Sequence, residues 1–412
     1  MTRPKGLLSE YDDVWLLDGV RTPFADYNTV LGLVSPIDLG IKVAREVFAR
    51  SGVEPERTGL VVAGSVAQAS FDAYVLPRHI GLYSGVPVET PAHLVQRVCG
   101  TGMEAILQAG DAIKLRKADL ALVVGAESMS RNPIAAYTHR GGFRMGQVEF
   151  KDFLWEALMD TCPNASMGQT AETLARKYKI SREEADQFAA DSFARAVAAQ
   201  QSCFLSGETT PLTTEKFELA GYKPRGIQLP RKVESFAQDS HIRPSPLEVL
   251  AKLPPVFGGV QTAGNSSAIV DGAAATLVAS GDFVRQWGRK PLAKIVAGAA
   301  VGVPPEIMGI GPVPAIRAVL EATGLKLGQI DRVEINEAFA AQTLACEREL
   351  ELDHAKLNVN GGAIAVGHPL AATGVRLAVT VARELKRSAT RYGIASACIG
   401  GGQGIAVLVE NV

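Results

Sequence analysis

Two stretches of the chain carry residues able to do covalent chemistry. In Gln96-Arg97-Val98-Cys99-Gly100-Thr101-Gly102 a cysteine opens a helical pattern, because Met103, Ile106, Leu107, Gly110 and Ile113 recur at helical spacing. A thiol at a helix start meets unpaired N–H groups and the positive end of the dipole. Both favour the thiolate, the attacking form. The glycines let the backbone pass close to another group there. The bland alternative is a small buried hydrophobe. A second stretch, from Asn360 to Pro369, is rich in glycine and ends in Gly367-His368-Pro369. Proline fixes φ and lacks an N–H, so it holds His368 stiffly at a helix start, as a base or as a satisfied core histidine. Asn336 follows an apolar strand, where it orients a water or caps the next helix. Cys398 ends a strand before the turn Gly400-Gly401-Gly402-Gln403-Gly404, which is either a set of exposed N–H groups or an ordinary hairpin.

The elements that must position these residues read as a repeated α/β order. Val14–Leu17 and Leu60–Val66 are apolar strand candidates, and Ser35-Pro36 caps a helix that Gly52 ends. The Cys99 helix and the strand 118–125 follow. Residues 127–260 then turn charged, proline-rich and irregular, as an inserted lobe with a capping box at Ser181-Arg182-Glu183-Glu184. Strand 273–280 resumes the apolar pattern. The second half runs through strand 292–297, the helix from Pro312, strand 332–335, helices 337–350 and 371–385, and a strand pair at 392–398 and 405–410. The division is 1–126 with 261–283, the lobe 127–260, and 284–412. The distance from Leu60 to Cys99 is about that from Arg332 to His368, so the halves read as a structural duplication. Pseudo-twofold symmetry then makes the Cys99 and His368 helices mates whose starts face one cleft, which favours a catalytic Cys99.

Composition excludes several classes. The formal net charge of −1 gives no bulk attraction to nucleic acid. No apolar run is long enough to span a bilayer, and the acidic N-terminal stretch carries no apolar core of a secretory signal. The five cysteines (Cys99, Cys162, Cys203, Cys346 and Cys398) are scattered and never spaced as CxxC, against a disulfide framework or a zinc site. They point to a reducing, cytoplasmic home. The histidines form no HExxH-like cluster, so no metal is expected.

Together with Gly125-Ala126-Glu127-Ser128-Met129-Ser130, Met167-Gly168, Thr262-Ala263-Gly264-Asn265-Ser266-Ser267, Asp271-Gly272-Ala273, Met308-Gly309-Ile310-Gly311-Pro312 and Asn336-Glu337-Ala338-Phe339, these stretches resemble the thiolases over nearly the whole chain. The resemblance implies a duplicated, layered α/β/α/β/α fold, with an inserted loop domain for coenzyme A. It also implies dimers, usually paired into tetramers. Coenzyme A is then a substrate, and no tightly bound cofactor is expected. Carried over by position, Cys99 becomes acylated, His368 is its base, and Cys398 is the second acid/base. Asn336, through a water, and His368 form one oxyanion site; the backbone N–H groups of Cys99 and Gly400 form the other. Arg243 and Ser267 match positions near the nucleotide and pantetheine, and Met167, Met308 and Phe339 match the acyl pocket. Gln96 and Thr101 replace the usual Asn and Ser but keep hydrogen-bonding groups. Val359 replaces a common proline. Ser166 stands where short-chain biosynthetic enzymes carry histidine, which weighs against the alternative of an acetoacetyl-CoA-restricted acetyltransferase. Cys398 weighs against a ketoacyl synthase. The presence of all three of Cys99, His368 and Cys398 weighs against a silent acyl-CoA-binding relative. The expected reaction is 3-ketoacyl-CoA plus CoA to acyl-CoA plus acetyl-CoA, in either direction.

Overall fold

The computed structural model describes residues 6–68, 70–137 and 141–412, so residues 1–5 of the N-terminal stretch read above lie outside it. Nine strands form the main sheet: β1 (Leu7–Arg21), β2 (Leu60–Gly64), β3 (Ala92–Val95), β4 (Leu120–Glu127), β5 (Val270–Ser280), β6 (Ala293–Gly302), β7 (Arg332–Ile335), β8 (Tyr392–Ile399) and β9 (Gln403–Glu410). Their order is β7-β8-β9-β6-β1-β5-β4-β2-β3, and the short strand Ala25–Asp26 adds to β5.

The duplication is explicit in the pairing. In the first half β1 pairs antiparallel with β5, β5 antiparallel with β4, and β4 parallel with β2. In the second half β6, β9, β8 and β7 repeat that series with the same senses. The first half adds β3 at its edge. Strand β1 joins the halves, pairing with β6 from Leu7 and with β5 as far as Arg21. Its early residues Glu10, Asp12 and Asp13 are solvent-exposed, so hydrophobicity marks only its later part as strand.

Helices α1 (Pro36–Ser51), α2 (Thr101–Lys114), α3 (Pro312–Thr323), α4 (Ala340–Leu350) and α5 (Leu370–Ser388) cover the sheet. Helices α1 and α3 end in left-handed Gly52 and Gly324, the expected C-cap conformation. Helices α2 and α5 form the middle layer and touch strands of both halves. Accordingly α5 is buried almost all round, through Val375, Leu377, Ala378, Val379, Val381 and Leu385. Each fully buried aliphatic side chain of this kind contributes about 1.5–3 kcal/mol.

The two middle helices meet backbone to backbone. A Cβ on Gly102 would stand 2.5 Å from Val375 N and 2.7 Å from Ala371 O, and one on Gly374 would stand 2.3 Å from Met103 N. Only residues without side chains permit this approach. It brings the starts of α2 and α5, and hence Cys99 and His368, to one place. The lobe between β4 and β5 carries helices Met167–Tyr178 and Arg182–Gln201, both opened by capping boxes, and four two-stranded sheets. Among the described residues no helix is long and apolar enough to cross a membrane.

Candidate active site

Cys99 lies two residues before α2, ahead of the cap position Gly100. Thr101 shapes this loop: its Oγ1 donates to Val98 O at 2.7 Å and accepts from Arg97 N at 2.9 Å. Gln96 Oε1 accepts from Val98 N at 3.3 Å, so both departures from the family pattern keep a hydrogen bond. Val98 has φ 43°, in the left-handed region. A β-branched residue there is strained, and such strain collects at sites where the fold holds a group in place.

His368 is held from both sides. Gly367 before it has φ +101°, and a Cβ there would stand 2.5 Å from Val270 Cγ1. His368 N donates to Ala268 O at 3.0 Å. Thr373 Oγ1 donates to Pro369 O at 3.1 Å and lies 2.6 Å from His368 Nδ1. This network assigns the proton to Nδ1, which donates to Thr373, and leaves Nε2 as the bare nitrogen. Asn336 Nδ2 stands 3.3 Å from that Nε2. The next helix starts at Ala340, so Asn336 is not its cap. Its buried Oδ1 has no protein partner among the described residues, an unmet acceptor of the kind an ordered water satisfies. Glu337 anchors this segment by accepting from Ser192 Oγ (2.7 Å), Asn358 Nδ2 (2.9 Å) and Ile364 N (3.2 Å).

These groups meet at a cavity of about 500 Å³. Cys99, His368, Met167, Met308, Phe339 and Ser267 line it, as do Met129, Trp155, Leu158, Phe257 and Leu370. Cys398, wholly buried, packs with Met308 and Ala338 behind the wall. A Cβ on Gly400 would stand 3.1 Å from Met167 Sδ, so the glycine turn abuts the same place. Arg243 is not on the wall. It is exposed, donates to His241 O at 3.1 Å, and lies 5.5 Å from the Phe193 ring centroid.

Electrostatics corrects one expectation. Burial pushes the Cys99 thiol up to about 11, although the N–H groups of Gly400 and of Cys99 itself pull it down. Desolvation of the charged form outweighs the helix start here. Burial, reinforced by Cys99 nearby, also pushes the Cys398 thiol well above its ordinary value. Burial, with the charge of Arg376, pulls His368 down to about 3. At neutral pH the site therefore holds a neutral thiol beside a neutral imidazole. The sequence reading missed Thr373, whose only signal is its place on the turn after Pro369. It also missed the walls Met129, Leu158 and Phe257, which no spacing marks.

A thiol and an imidazole thus line one apolar cavity, with a second thiol buried behind its wall. The family model "Thiolase, N-terminal domain" matches residues 14–282, and "Thiolase, C-terminal domain" matches residues 289–411. The chain belongs to the thiolase family and is an acyltransferase. It is 42% identical over 402 residues to the mitochondrial 3-ketoacyl-CoA thiolase of Homo sapiens, covering 97% of this chain and 98% of that one. The crystal structure of the human mitochondrial enzyme in complex with CoA superposes with TM-score 0.91 at 42% identity, covering 97% and 98% of the two chains. That of the Bacillus anthracis acetyl-CoA acetyltransferase gives 0.92 at 38% identity, covering 98% and 100%. The cytoplasmic expectation does not stand, because relatives at 42% identity are named as mitochondrial enzymes. Unpaired cysteines report a reducing environment, which does not single out one compartment.

Proposed function

We propose that the chain cleaves 3-ketoacyl-CoA with CoA, in the manner of fatty acid β-oxidation, with the reverse condensation open to it. The observation that carries this reading is the convergence of Cys99 and His368 on one apolar cavity, with Asn336, Cys398 and Gly400 behind them. Cys99 Sγ attacks the 3-keto carbonyl as its proton passes to His368 Nε2. With the thiol near 11 and the imidazole near 3, proton transfer ahead of attack is disfavoured, so the two move together. The C2–C3 bond then breaks, and the carbanion of acetyl-CoA takes its proton from Cys398. Incoming CoA gives its thiol proton to the Cys398 thiolate and attacks the acyl-Cys99, whose sulfur regains a proton from His368. The N–H groups of Cys99 and Gly400 stabilise one oxyanion. His368 and a water on Asn336 stabilise the other.

We assign the coenzyme's nucleotide to the lobe 127–260, with Arg243 beside it, and its pantetheine to Ser267 just beyond the lobe. Met167, Met308 and Phe339 face the acyl part. Ser166 is smaller than histidine and is committed to capping the Met167–Tyr178 helix, which supports acyl chains longer than four carbons. The family resemblance supports a dimer, or a tetramer of paired dimers. A thiolysis assay over 3-ketoacyl-CoAs of increasing length tests the substrate reading, and strict confinement to acetoacetyl-CoA would sink it. In the same assay Arg243→Ala raises KM for the CoA substrate with less effect on kcat. An unchanged KM removes Arg243 from the nucleotide site.

A further inference from the structure

Glu127 ends β4 and is fully buried. Its carboxylate accepts from Val66 N (3.0 Å), Ala67 N (3.1 Å), Ser65 Oγ (3.3 Å) and Ala371 N (3.1 Å). Val66 packs in the small apolar cluster that contains Cys99. Ala371 lies in the first turn of α5, three residues beyond His368. That helix has Pro369 at its cap position and no side-chain cap of its own. The first-turn N–H of Ala371, unpaired within its own helix, is therefore satisfied from the other half of the molecule. The reach is tight: a Cβ on Gly125 would stand 2.1 Å from Ala371 O, so strand and helix backbones touch beside the carboxylate.

We propose that Glu127 is a positioning residue of the thiolase reaction, one side chain of the first half that holds the loop beside Cys99 and the helix after His368 in fixed relation. The proposal rests on the reading of Cys99 as nucleophile and His368 as base. Among the described residues four donors and no acceptor face the side chain, the environment of a carboxylate. Burial works against that form and pushes the group up to about 7. Among the described residues the titratable group it acts on is Cys99, whose thiol is raised chiefly by burial and a little further by the Glu127 charge. His368 lies beyond the Ala371 amide. Asp271, beside the register partner Gly272 on β5, is bonded to Ser130. Glu127 thus has two separable effects: it orders the two reacting residues, and it makes the nucleophile harder to ionise.

Two full-length variants separate these effects. Glu127→Gln removes the charge and turns a donor toward groups that are already donors. Its iodoacetamide inactivation should move to lower pH, while kcat for thiolysis falls on the order of 10- to 100-fold with little change in KM. A more ionisable nucleophile in a slower enzyme is not the mark of simple destabilisation. Glu127→Asp keeps the charge but shortens the reach, so its alkylation profile should stay at wild type while kcat falls. Circular dichroism melts establish that both variants are folded. Wild-type turnover in both variants, or a kcat loss in Glu127→Gln with an unmoved alkylation profile, overturns the proposal. Mass spectrometry of wild type after acetyl-CoA is the control. Wild type acetylated on Cys99 with indifferent variants refutes this inference alone, whereas wild type not acetylated there refutes the reading of the site and the inference with it.

Discussion

His368 Nδ1 lies 2.6 Å from Thr373 Oγ1, and that hydroxyl is spent on the carbonyl of Pro369. The hydroxyl can therefore only accept from the ring, which leaves Nε2 free to take a proton. Thr373→Val keeps the shape and removes the acceptor. The buried Nδ1–H is then unsatisfied, at a cost of about 1–3 kcal/mol. The ring is free to carry its proton on the wrong nitrogen. We expect kcat to fall roughly 10- to 100-fold, part of what a general base contributes. Steady-state thiolysis checks this, and an unaltered kcat would show that the tautomer is set elsewhere.

The two thiols should fail at different steps. Cys99→Ala has no acyl acceptor, so neither labelling by acetyl-CoA nor turnover should occur. Cys398→Ala keeps Cys99, His368 and the backbone donors, so it should still be acetylated yet lose condensation, because nothing removes the α-proton. The loss should lie at about 10²–10⁴-fold. Of these two thiols iodoacetamide should reach Cys99 first, since it lines the cavity while Cys398 is wholly buried. Acetyl found on Cys398 rather than Cys99 by peptide mass spectrometry would reverse the assignment.

The buried imidazole also ties stability to pH. His368 titrates near 3 in the fold and at its ordinary 6.5 when unfolded, so the unfolded chain binds the extra proton between those values. The stability associated with a neutral His368 is full above about pH 6.5 and is lost as pH falls toward 3. His368→Asn should therefore lose less stability than wild type between pH 6.5 and 4. Denaturation midpoints at the two pH values check it, and parallel losses would contradict it.

The contact between α2 and α5 makes a prediction opposite to helix propensity. Propensity alone favours Gly102→Ala, by less than the about 1 kcal/mol of a helix interior because the residue sits in the first turn. Its Cβ, however, would meet Val375 N at 2.5 Å and Ala371 O at 2.7 Å, both backbone atoms. Overpacking of that kind costs about 1–3 kcal/mol, and it spreads the two reacting residues apart. We expect a net loss of stability together with a larger loss of turnover. A variant more stable than wild type in chemical denaturation would show that the helices have slack.

Local pattern made much of this molecule legible. The caps at Ser35, Ser181 and Gly52 depend on a few neighbouring residues, and all three stand as read. The repeat of strands and helices was visible for the same reason, because buried strands are continuous apolar runs. The residue types of Cys99, His368 and Cys398 follow from the chain alone. What only the tertiary structure decided is everything that depends on surroundings. Strand β1 extends back to Leu7 through exposed acidic residues, since pairing with β6 rather than hydrophobicity makes it a strand. The ionisation of Cys99 reverses the helix-start expectation, because desolvation is a property of the whole packed site and not of the residues beside it in sequence. Thr373 orients His368, and Glu127 joins two halves of the chain, through bonds between atoms that no spacing brings together. Sequence carries chemistry and short-range geometry; long-range distance and burial exist only once the two halves have closed on each other.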